Sequence, residues 1–305
     1  MSWFFIALLS PVLHAAANHI DKYLLSRYFK GGGTATLIIF SSIFGLVVLP
    51  FIVLIEPNVL DITPSHALLL LLSGIIYTVY LIPYFYALNQ DEASIVVPLF
   101  QTVPIFGYIL AYFVLGETLN NQQIFASLLI ISGAVFLSLD LNQKRLTIKK
   151  NIFLAMLLSS FLVALGALIF KFVAIQETFW VSSFWNYIGY AIVGSFLLTF
   201  IKSYRKQFLK VIHRNKLSIL TVNSFNEILF IIGALGMTFA SLLAPLALVL
   251  VVDGLQPFFV LVYGIIITLF LPKLGEESLL KKDLIQKIIA ILVIVVGTYF
   301  LNLDH

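Results

Sequence analysis

Polar side chains recur at every fourth position of the first apolar stretch. Ser10, His14, Asn18 and Lys22 follow this spacing, which places them on one side of an α-helix. An ionised side chain at the centre of a bilayer costs roughly 2.5–3.5 kcal/mol, so it usually faces a partner or a wet cavity. We predict that His14, Asn18 and Lys22 line such a cavity. The alternative is structural, with interhelical hydrogen bonds for His14 and Asn18 and contact between Lys22 and the membrane interface.

Two later stretches carry a carboxylate near their middle. Glu227 follows Asn223 by four residues, while Asp253 and Gln256 stand just before Pro257. A carboxyl group that loses hydration without gaining a cation holds its proton more strongly, so either one could bind and release a proton near neutral pH. We predict that all four polar residues line the cavity. Structural pairing with a basic side chain is the alternative for both carboxylates.

Prolines mark three places where a helix is expected to kink. Pro98 and Pro104 flank Gln101, and Pro257 lies at the corresponding place of a later stretch. A proline has no N–H and frees a backbone carbonyl one turn before it. Kinks in corresponding helices of two repeats point to a transport site, so we predict that Gln101 lies in the cavity too. The alternative is the ordinary tolerance of membrane helices for proline.

Ten apolar stretches must position these side chains. A run of roughly 20 apolar residues matches the hydrocarbon layer, and a helix satisfies its own backbone hydrogen bonds there. The chain is 61% hydrophobic and only 10% charged, with a mean hydropathy of +1.07. We therefore predict an all-α integral membrane protein. Its predicted spans are 3–25, 34–55, 66–88, 93–115, 122–139, 152–173, 180–201, 217–239, 245–271 and 284–301.

The bulk composition excludes several classes of protein. The longest polar connections, at 140–151 and 202–216, are too short for a soluble catalytic or nucleic-acid-binding domain. There is no cysteine, so disulfides and thiolate chemistry are absent. The chain has no His-Glu-x-x-His metal motif, no Gly-x-Ser-x-Gly motif and no paired carboxylates on one helix. We expect no cofactor, no metal and no enzymatic activity, with a membrane-embedded enzyme as a remote alternative.

The second half of the chain repeats landmarks of the first. Residues 132–140 and 296–304 share Gly, Phe, Leu, Leu and Asp in register, and Phe4, Ser10 and Lys22 align with Phe153, Ser159 and Lys171. Five spans is an odd number, so the second copy enters the membrane from the other side. We predict two inverted five-helix repeats at 2–140 and 152–304, joined by a basic connector at 141–151. Inverted repeats are typical of secondary transporters.

These landmarks resemble the EamA-type family of the drug/metabolite transporter superfamily. Each half has a helix with a central proline, then a Gly-Glu turn, then a closing helix with a late glycine. The landmarks are Tyr86, Ala87, Leu88, Pro104, Leu115, Gly116, Glu117 and Gly133 in the first half, and Leu255, Gln256, Pro257, Phe258, Gly275, Glu276 and Gly297 in the second. Lys22 and Lys171 stand where the family has a lysine that closes the first helix of each repeat.

The resemblance implies a multi-pass transporter in the plasma membrane. It would move a small organic metabolite by alternating access, as an exporter of amino acids, related compounds or drugs, with protons as a candidate coupling ion. In the family the third helix lines the cavity, which adds Tyr80 and Tyr84 to the candidate residues; ordinary aromatic packing is their alternative. Lys171 joins them as the counterpart of Lys22. The expected partners are the substrate and the lipid bilayer, with no nucleic acid, and the chain is a monomer or a homodimer.

A translocator of a lipid-linked sugar or a nucleotide-sugar is the alternative transport function. Such a protein needs a basic cavity for phosphate. Lys22 and Lys171 are the intramembrane candidates for that role.

The basic residues lie almost entirely on one predicted side of the membrane. If ten spans alternate in direction, all but one of the 18 Lys and Arg residues fall in connections on the same side. Only Lys171 lies toward the opposite side. Connections rich in Lys and Arg face the cytoplasm, so the sequence predicts that both termini lie outside it.

A reporter that is active only in the cytoplasm should therefore stay inactive when it is fused after His305. The same reporter inserted in the connector at 141–151 should be active, because that connector is basic and predicted cytoplasmic. The measurement is reporter activity in intact cells, normalised to the amount of each fusion protein. Strong activity from the fusion after His305 would reverse the predicted orientation.

Overall fold

The fold is helical throughout the part of the chain that the structure describes. The structure is a computed structural model that describes residues 2–27, 33–90, 96–139, 149–214, 216–270 and 281–303. One 3-10 helix spans Val97–Thr102. The α-helices in chain order are α1 Ser2–Arg27, α2 Gly33–Ile55, α3 Pro64–Val79, α4 Leu81–Gln90, α5 Val103–Leu115, α6 Asn121–Ser138, α7 Lys150–Ala174, α8 Phe179–Phe200, α9 Lys202–Arg214, α10 Lys216–Leu243, α11 Leu246–Asp253, α12 Gln256–Phe270 and α13 Lys281–Leu301.

Seven helical segments of the described residues are long and apolar enough to cross a membrane. They are Trp3–Leu24, Ile38–Ile55, Pro64–Ala87, Lys150–Ala174, Phe179–Phe200, Leu220–Leu243 and Leu246–Phe270. Three further apolar helices are shorter, at Leu99–Leu115, Asn121–Leu137 and Ile285–Leu301. The prediction of an all-α membrane protein is confirmed. The number of ten spans and the division into two repeats stay predictions, and most of the connector at 141–151 and the Gly275-Glu276 landmark lie outside the described residues.

Local sequence signals define where several helices begin and end. The Thr63 hydroxyl accepts a hydrogen bond from His66 N, with Pro64 in the first helical position. Asn120 and Gln123 form a reciprocal capping box at the start of α6. Gly116 ends α5 with a φ of 67°, a left-handed conformation that glycine adopts without strain. These caps satisfy backbone groups that a helix end leaves without partners.

Residues 202–214 form a helix where the sequence analysis places a polar connection. One side of α9 carries Tyr204, Phe208 and Ile212, which are half-buried, while Lys206 and Lys210 on other sides are exposed. Contacts of α9 with α2 and α8 cover its apolar side. A helix with one apolar and one basic side is typical of a segment that lies along a membrane surface.

Small residues allow α3 and α8 to touch backbone to backbone. A Cβ atom added at Gly74 would lie 2.1 Å from the carbonyl oxygen of Asn186 and 2.9 Å from the Cα of Gly189. A Cβ atom added at Gly189 would lie 2.4 Å from the carbonyl oxygen of Leu71. Membrane helices use such small residues to approach closely, since lipid offers no hydrophobic force that drives helices together.

The centre of the molecule is occupied by α11. Every residue from Leu246 to Val252 is at most 3% exposed, and α11 contacts α1, α5, α6, α7 and α10. A short helix that is apolar on all sides is expected in a protein interior. Asp253 follows directly on this buried helix, and the fold thereby brings its carboxylate to the middle of the bundle.

The Gly74→Ala substitution should destabilise the protein. The new methyl group overlaps backbone atoms of α8, so the two helices must separate, at a cost of about 1–3 kcal/mol or more. Gly45→Ala is the matched control, because its Cβ would meet a side-chain atom, Tyr187 Cδ1, at 3.2 Å. The measurement is the thermal unfolding midpoint of purified protein in detergent. Equal midpoints for the two variants would contradict the close backbone contact.

Candidate functional site

Two membrane helices are interrupted near the middle of the fold. The first is the segment 97–115, which starts as a 3-10 helix and becomes α5 at Val103, next to Pro104. The second is interrupted between α11 and α12, and Pro257 follows at once in the first turn of α12. Because proline cannot donate to the carbonyl one turn earlier, each interruption has a local cause in the sequence.

Side chains replace the backbone donors that are lost at the interruptions. Phe258 N donates to Leu255 O at 2.9 Å rather than to Gly254 O, and Gln101 Nε2 donates to Gly254 O at 3.2 Å. At the other interruption Val103 N donates to Phe100 O. The hydroxyl of Thr102 donates to Leu99 O at 2.7 Å, and Ser160 adds a longer bond to it. The buried Gln101 therefore connects the two interrupted helices directly.

A chain of three polar side chains lies beside this junction. Ser10 Oγ donates to Asp253 Oδ1 at 2.5 Å and is 3.1 Å from His14 Nδ1. His14 Nε2 is 3.1 Å from the carbonyl oxygen of Phe230, and the His14 ring stacks on the Phe230 ring. The chain joins α1, α10 and the end of α11. Ser10 and His14 are one turn apart on α1, as the spacing predicts, but their partner Asp253 lies 243 residues away.

If both contacts of Ser10 are hydrogen bonds, two arrangements of the protons satisfy them. A carbonyl oxygen only accepts, so His14 Nε2 donates to Phe230. If Ser10 donates to Asp253, His14 Nδ1 must also donate, and His14 is a cation beside a carboxylate. In the reverse arrangement a protonated Asp253 donates to Ser10, and Ser10 donates to a neutral His14. Both arrangements carry one proton more than a neutral imidazole with a carboxylate, and the group is electrically neutral.

Aromatic side chains form one wall near Asp253. The Tyr80 and Phe100 rings meet edge to face at 6.2 Å, and the Tyr84 and Phe100 rings lie 4.9 Å apart. The charge of Asp253 acts on the hydroxyl groups of Tyr77 and Tyr80. The fold therefore brings Tyr80 close to the Asp253 chain, while Tyr84 lies about one turn further along and packs on Phe100.

Glu227 belongs to a second group of polar side chains. Ser41 Oγ donates to Glu227 Oε1 at 2.5 Å, and Asn226 Nδ2 donates to Asp21 Oδ1 at 2.7 Å. The carboxylates of Asp21 and Glu227 repel each other. Asn223 is fully buried, and neither atom of its amide has a hydrogen-bond partner among the described residues.

Helix geometry explains which members of the α1 stripe face inward. Residues four apart are offset by about 40° on an α-helix, so the offset from Ser10 reaches about 80° at Asn18 and 120° at Lys22. Both Asn18 and Lys22 are exposed. Asp21 lies only about 20° from Ser10 by the same geometry, and it is the residue that contacts α10. A search at seven-residue spacing from His14 would have found it.

Lys171 lies in a buried contact at the opposite end of the bundle. Its ammonium group pairs with Glu117 Oε1 and donates to Ala244 O at 2.7 Å. Glu117 Oε2 accepts from Leu246 N at 2.7 Å, at the start of α11. This contact joins the end of α7, the turn after α5 and the beginning of the buried helix.

The predicted site residues thus fall into separate places. His14, Tyr80, Gln101 and Asp253 come together at the interrupted helices, and Tyr84 and Gln256 lie within about one turn of them. Asn223 and Glu227 lie in the second group. The predictions for all these residues as cavity-lining groups stay predictions. The sequence analysis missed Ser41, Asp21 and Asn226 as contact residues, and Ser41 gave no signal because its partner lies 186 residues away.

The comparison with family models agrees with the landmarks of the first half. Residues 1–139 match the EamA-like transporter family. The match covers somewhat less than half of the chain. The resemblance to EamA-type transporters is thereby confirmed over these residues, and it supports a membrane transporter with transmembrane helices. The family consists of transporters, which agrees with the expectation of a non-enzyme.

A solved crystal structure shares the fold of this chain. The two chains are 13% identical, the match covers 99% of this chain and 96% of the other, and the TM-score is 0.69. At this identity the likeness concerns the fold alone. No curated protein matches the sequence. The described residues contain no group of three or more His, Cys, Asp or Glu side chains that could hold a metal ion.

The Lys171→Met substitution should destabilise the protein by about 3 kcal/mol, because it leaves a largely buried Glu117 without its cation. Lys22→Met is the matched control: it removes the corresponding but exposed lysine of the first half, and exposed substitutions usually change stability by less than about 0.5 kcal/mol. The measurement is the free energy of unfolding, obtained by titrating the protein in mild detergent with a denaturing surfactant. A loss of stability as large for Lys22→Met as for Lys171→Met would contradict the structural role of the Lys171 contact.

Proposed function

We propose that this EamA-type protein is a secondary transporter in the plasma membrane. It exports a small organic metabolite, such as an amino acid, a related compound or a drug, by alternating access, and the transport is coupled to protons. The observation that carries the proposal is the meeting of two interrupted helices at Gln101 and Gly254, beside the Asp253–Ser10–His14 chain. Transporters bind substrates and coupling ions where interrupted helices meet near the bilayer midplane.

The packing of the helices supports two equivalent halves. If α1 to α6 and α7 to α13 are copies, exchanging them should leave the pattern of helix contacts unchanged. The contact of α1 with α10 then corresponds to that of α7 with α3 and α4, and the contact of α1 with α12 corresponds to that of α7 with α5. The pairs α2 with α8 and α6 with α13 correspond to themselves, and the contact of α1 with α11 corresponds to that of α7 with the 3-10 helix Val97–Thr102. A transporter of two inverted repeats requires this kind of pattern.

The Asp253–Ser10–His14 chain supplies a plausible proton site. Its neutral state holds one proton beyond a free carboxylate and a neutral imidazole, and loss of that proton would leave a net negative charge among apolar helices. Buried charge is costly, so release of the proton should be linked to a change in hydration or to the arrival of a substrate. This linkage is the requirement for coupled transport.

The nucleotide-sugar alternative needs a free basic group for phosphate. Lys171 is paired with Glu117 and bonded to Ala244 O, while Lys22 is exposed on α1. No contact of the described residues favours this alternative over export of a small metabolite.

The proposal is tested by comparing metabolites inside cells and in their medium. Cells that express the protein should release one class of small organic compound that cells without it retain. Asp253→Asn keeps the size of the side chain but cannot gain the extra proton, so the release should fall by about tenfold or more. Asp61→Asn, which changes an exposed carboxylate in the turn before α3, is the matched control.

The outcome decides between the classes of function. Release that depends on Asp253 and not on Asp61 supports a transporter of the compound identified. A metabolite profile that is the same with and without the protein, at verified expression, would overturn the proposal. Release of sugar nucleotides would favour the alternative.

Proton coupling is tested with the identified substrate in proteoliposomes. Asp253→Asn and Glu227→Gln each remove a titratable carboxyl group with little change in size. Each variant should lose accumulation driven by an imposed pH gradient while it keeps substrate exchange at equal pH, because exchange needs no net proton movement. A Glu227→Gln variant that still accumulates substrate would assign coupling to Asp253 alone. Accumulation by both variants would remove protons as the coupling ion.

A further inference from the structure

We propose that Asp21 and Glu227, together with Asn226, bind a single monovalent cation, Na⁺ or a proton, at a site separate from the Asp253–Ser10–His14 chain. The role of this site as a coupling site rests on the proposed transport function. The binding itself does not, because it can be measured without a transported substrate.

In the part of the chain that the structure describes, both carboxyl groups bond to neutral donors. Each accepts a hydrogen bond from a neutral donor, Ser41 for Glu227 and Asn226 for Asp21, and their like charges repel each other. Among the described residues, no Lys or Arg side chain pairs with either group. Glu227 is only 3% exposed. Glu227 is buried and Asp21 is half-buried, and two negative charges there without compensation are unfavourable, so the site favours a positive charge.

Unsatisfied amide oxygens point to a ligand in the same place. Asn226 is 3% exposed, and its nitrogen donates to Asp21, yet no hydrogen-bond partner for its oxygen lies among the described residues. Asn223 is one turn before Glu227 on α10, and neither its oxygen nor its nitrogen has a partner among the described residues. An acceptor that is buried without a donor costs about 1–3 kcal/mol. A cation or an added proton beside Asn226 would satisfy its oxygen.

The chemistry of the surrounding groups defines the type of cation. Asp21, Ser41, Asn226 and Glu227 offer carboxylate, hydroxyl and amide oxygens, with no imidazole and no sulfur, and oxygen ligands suit hard cations. Ca²⁺ takes six to eight oxygen ligands, and these side chains together with Asn223 reach that range only if both carboxylates bind through both of their oxygens. The described residues also contain no third carboxylate in the group. A monovalent hard cation is therefore the best match.

Other ionisable groups on the neighbouring helices are engaged elsewhere or exposed. On α1, His14 is bonded in the Asp253 chain, His19 Nε2 is 3.0 Å from Val260 O on α12, and Lys22 is exposed. The helix α2 has no ionisable side chain. The remaining ionisable groups on α1, α10 and the helices packed against them are Tyr23, Arg27, Lys150, Lys171, Lys202, Tyr204, Arg205, Lys206, Lys210, His213, Arg214, Lys216, Asp253 and Tyr263. Variants at Asp21 and Glu227 are needed to separate their titration from that of these groups.

Cation binding is measured on the purified full-length protein in lipid nanodiscs. In the Na⁺ arm, radioactive Na⁺ is titrated at alkaline pH, with choline chloride used to hold the ionic strength constant. In the proton arm, proton uptake between alkaline pH and about pH 6 is measured without Na⁺, because ordinary exposed carboxyl groups do not titrate in this range. We expect the wild type to bind one Na⁺ per chain, or to take up one proton more than Asp21→Asn and Glu227→Gln. Asn226→Leu should weaken the binding by about 10–100-fold.

Controls separate loss of the site from loss of the fold. Asp61→Asn removes an exposed carboxylate and should bind like the wild type. If Asp21→Asn fails to fold, Ser41→Ala removes only the hydroxyl that bonds to Glu227 and should weaken binding in the same arm. Saturable Na⁺ binding that Asp21→Asn and Glu227→Gln abolish identifies Na⁺. A difference in proton uptake without Na⁺ binding identifies the proton.

Two results would overturn the inference. One is wild-type protein that binds no Na⁺ and takes up as many protons as folded Asp21→Asn and Glu227→Gln. The other is Na⁺ binding that these variants leave unchanged. Either result together with metabolite release that depends on Asp253 would remove this site and leave the transport proposal intact. Cation binding without any metabolite release would support this site and overturn the transport proposal.

Discussion

The need to satisfy backbone hydrogen bonds away from water governs this structure. In hydrocarbon an unpaired carbonyl costs several kcal/mol, so irregular backbone is tolerated only where protein surrounds it. The chain interrupts two helices beside Pro104 and Pro257, and it supplies side-chain donors at both places. Gln101 bonds to Gly254 O, and Thr102 with Ser160 bonds to Leu99 O. The interruptions can exist because α11 and its neighbours bury them.

Charged side chains inside the bundle, like backbone hydrogen-bonding groups, need a partner that replaces water. Each ionisable group inside the bundle either has a partner of opposite charge or requires one. Lys171 and Glu117 neutralise each other and join α7 to the start of α11. Asp253 is linked to His14 through Ser10. Asp21 and Glu227 have only neutral donors in the described structure. In this they differ from Lys171 and Glu117, which neutralise each other.

Function then depends on the difference between these groups. Lys171 and Glu117 satisfy each other within the protein, so their contact stabilises the fold. The Asp253 chain joins three side chains by hydrogen bonds, and it stands where the two interrupted helices meet. In the proposed transporter, a proton taken up there would be coupled to a conformational change if the two states differ in how well they hold the charge.

The sequence alone determined that this is a helical membrane protein, since runs of about 20 apolar residues have no other stable arrangement than a spanning helix. It also identified Gln101, Glu227 and Asp253 as unusual, because polar groups are rare in such runs. Their partners could not be predicted: Ser10 and Asp253 are 243 residues apart, and Asp21 and Asn226 are 205 apart. The four-residue spacing of polar residues marked one side of α1 as unusual. Only the packed structure shows that Asp21 contacts α10 while Asn18 and Lys22 are exposed. Tertiary structure decides these pairings because the rotation of each helix is set by close packing against its neighbours, such as Gly74 against Gly189.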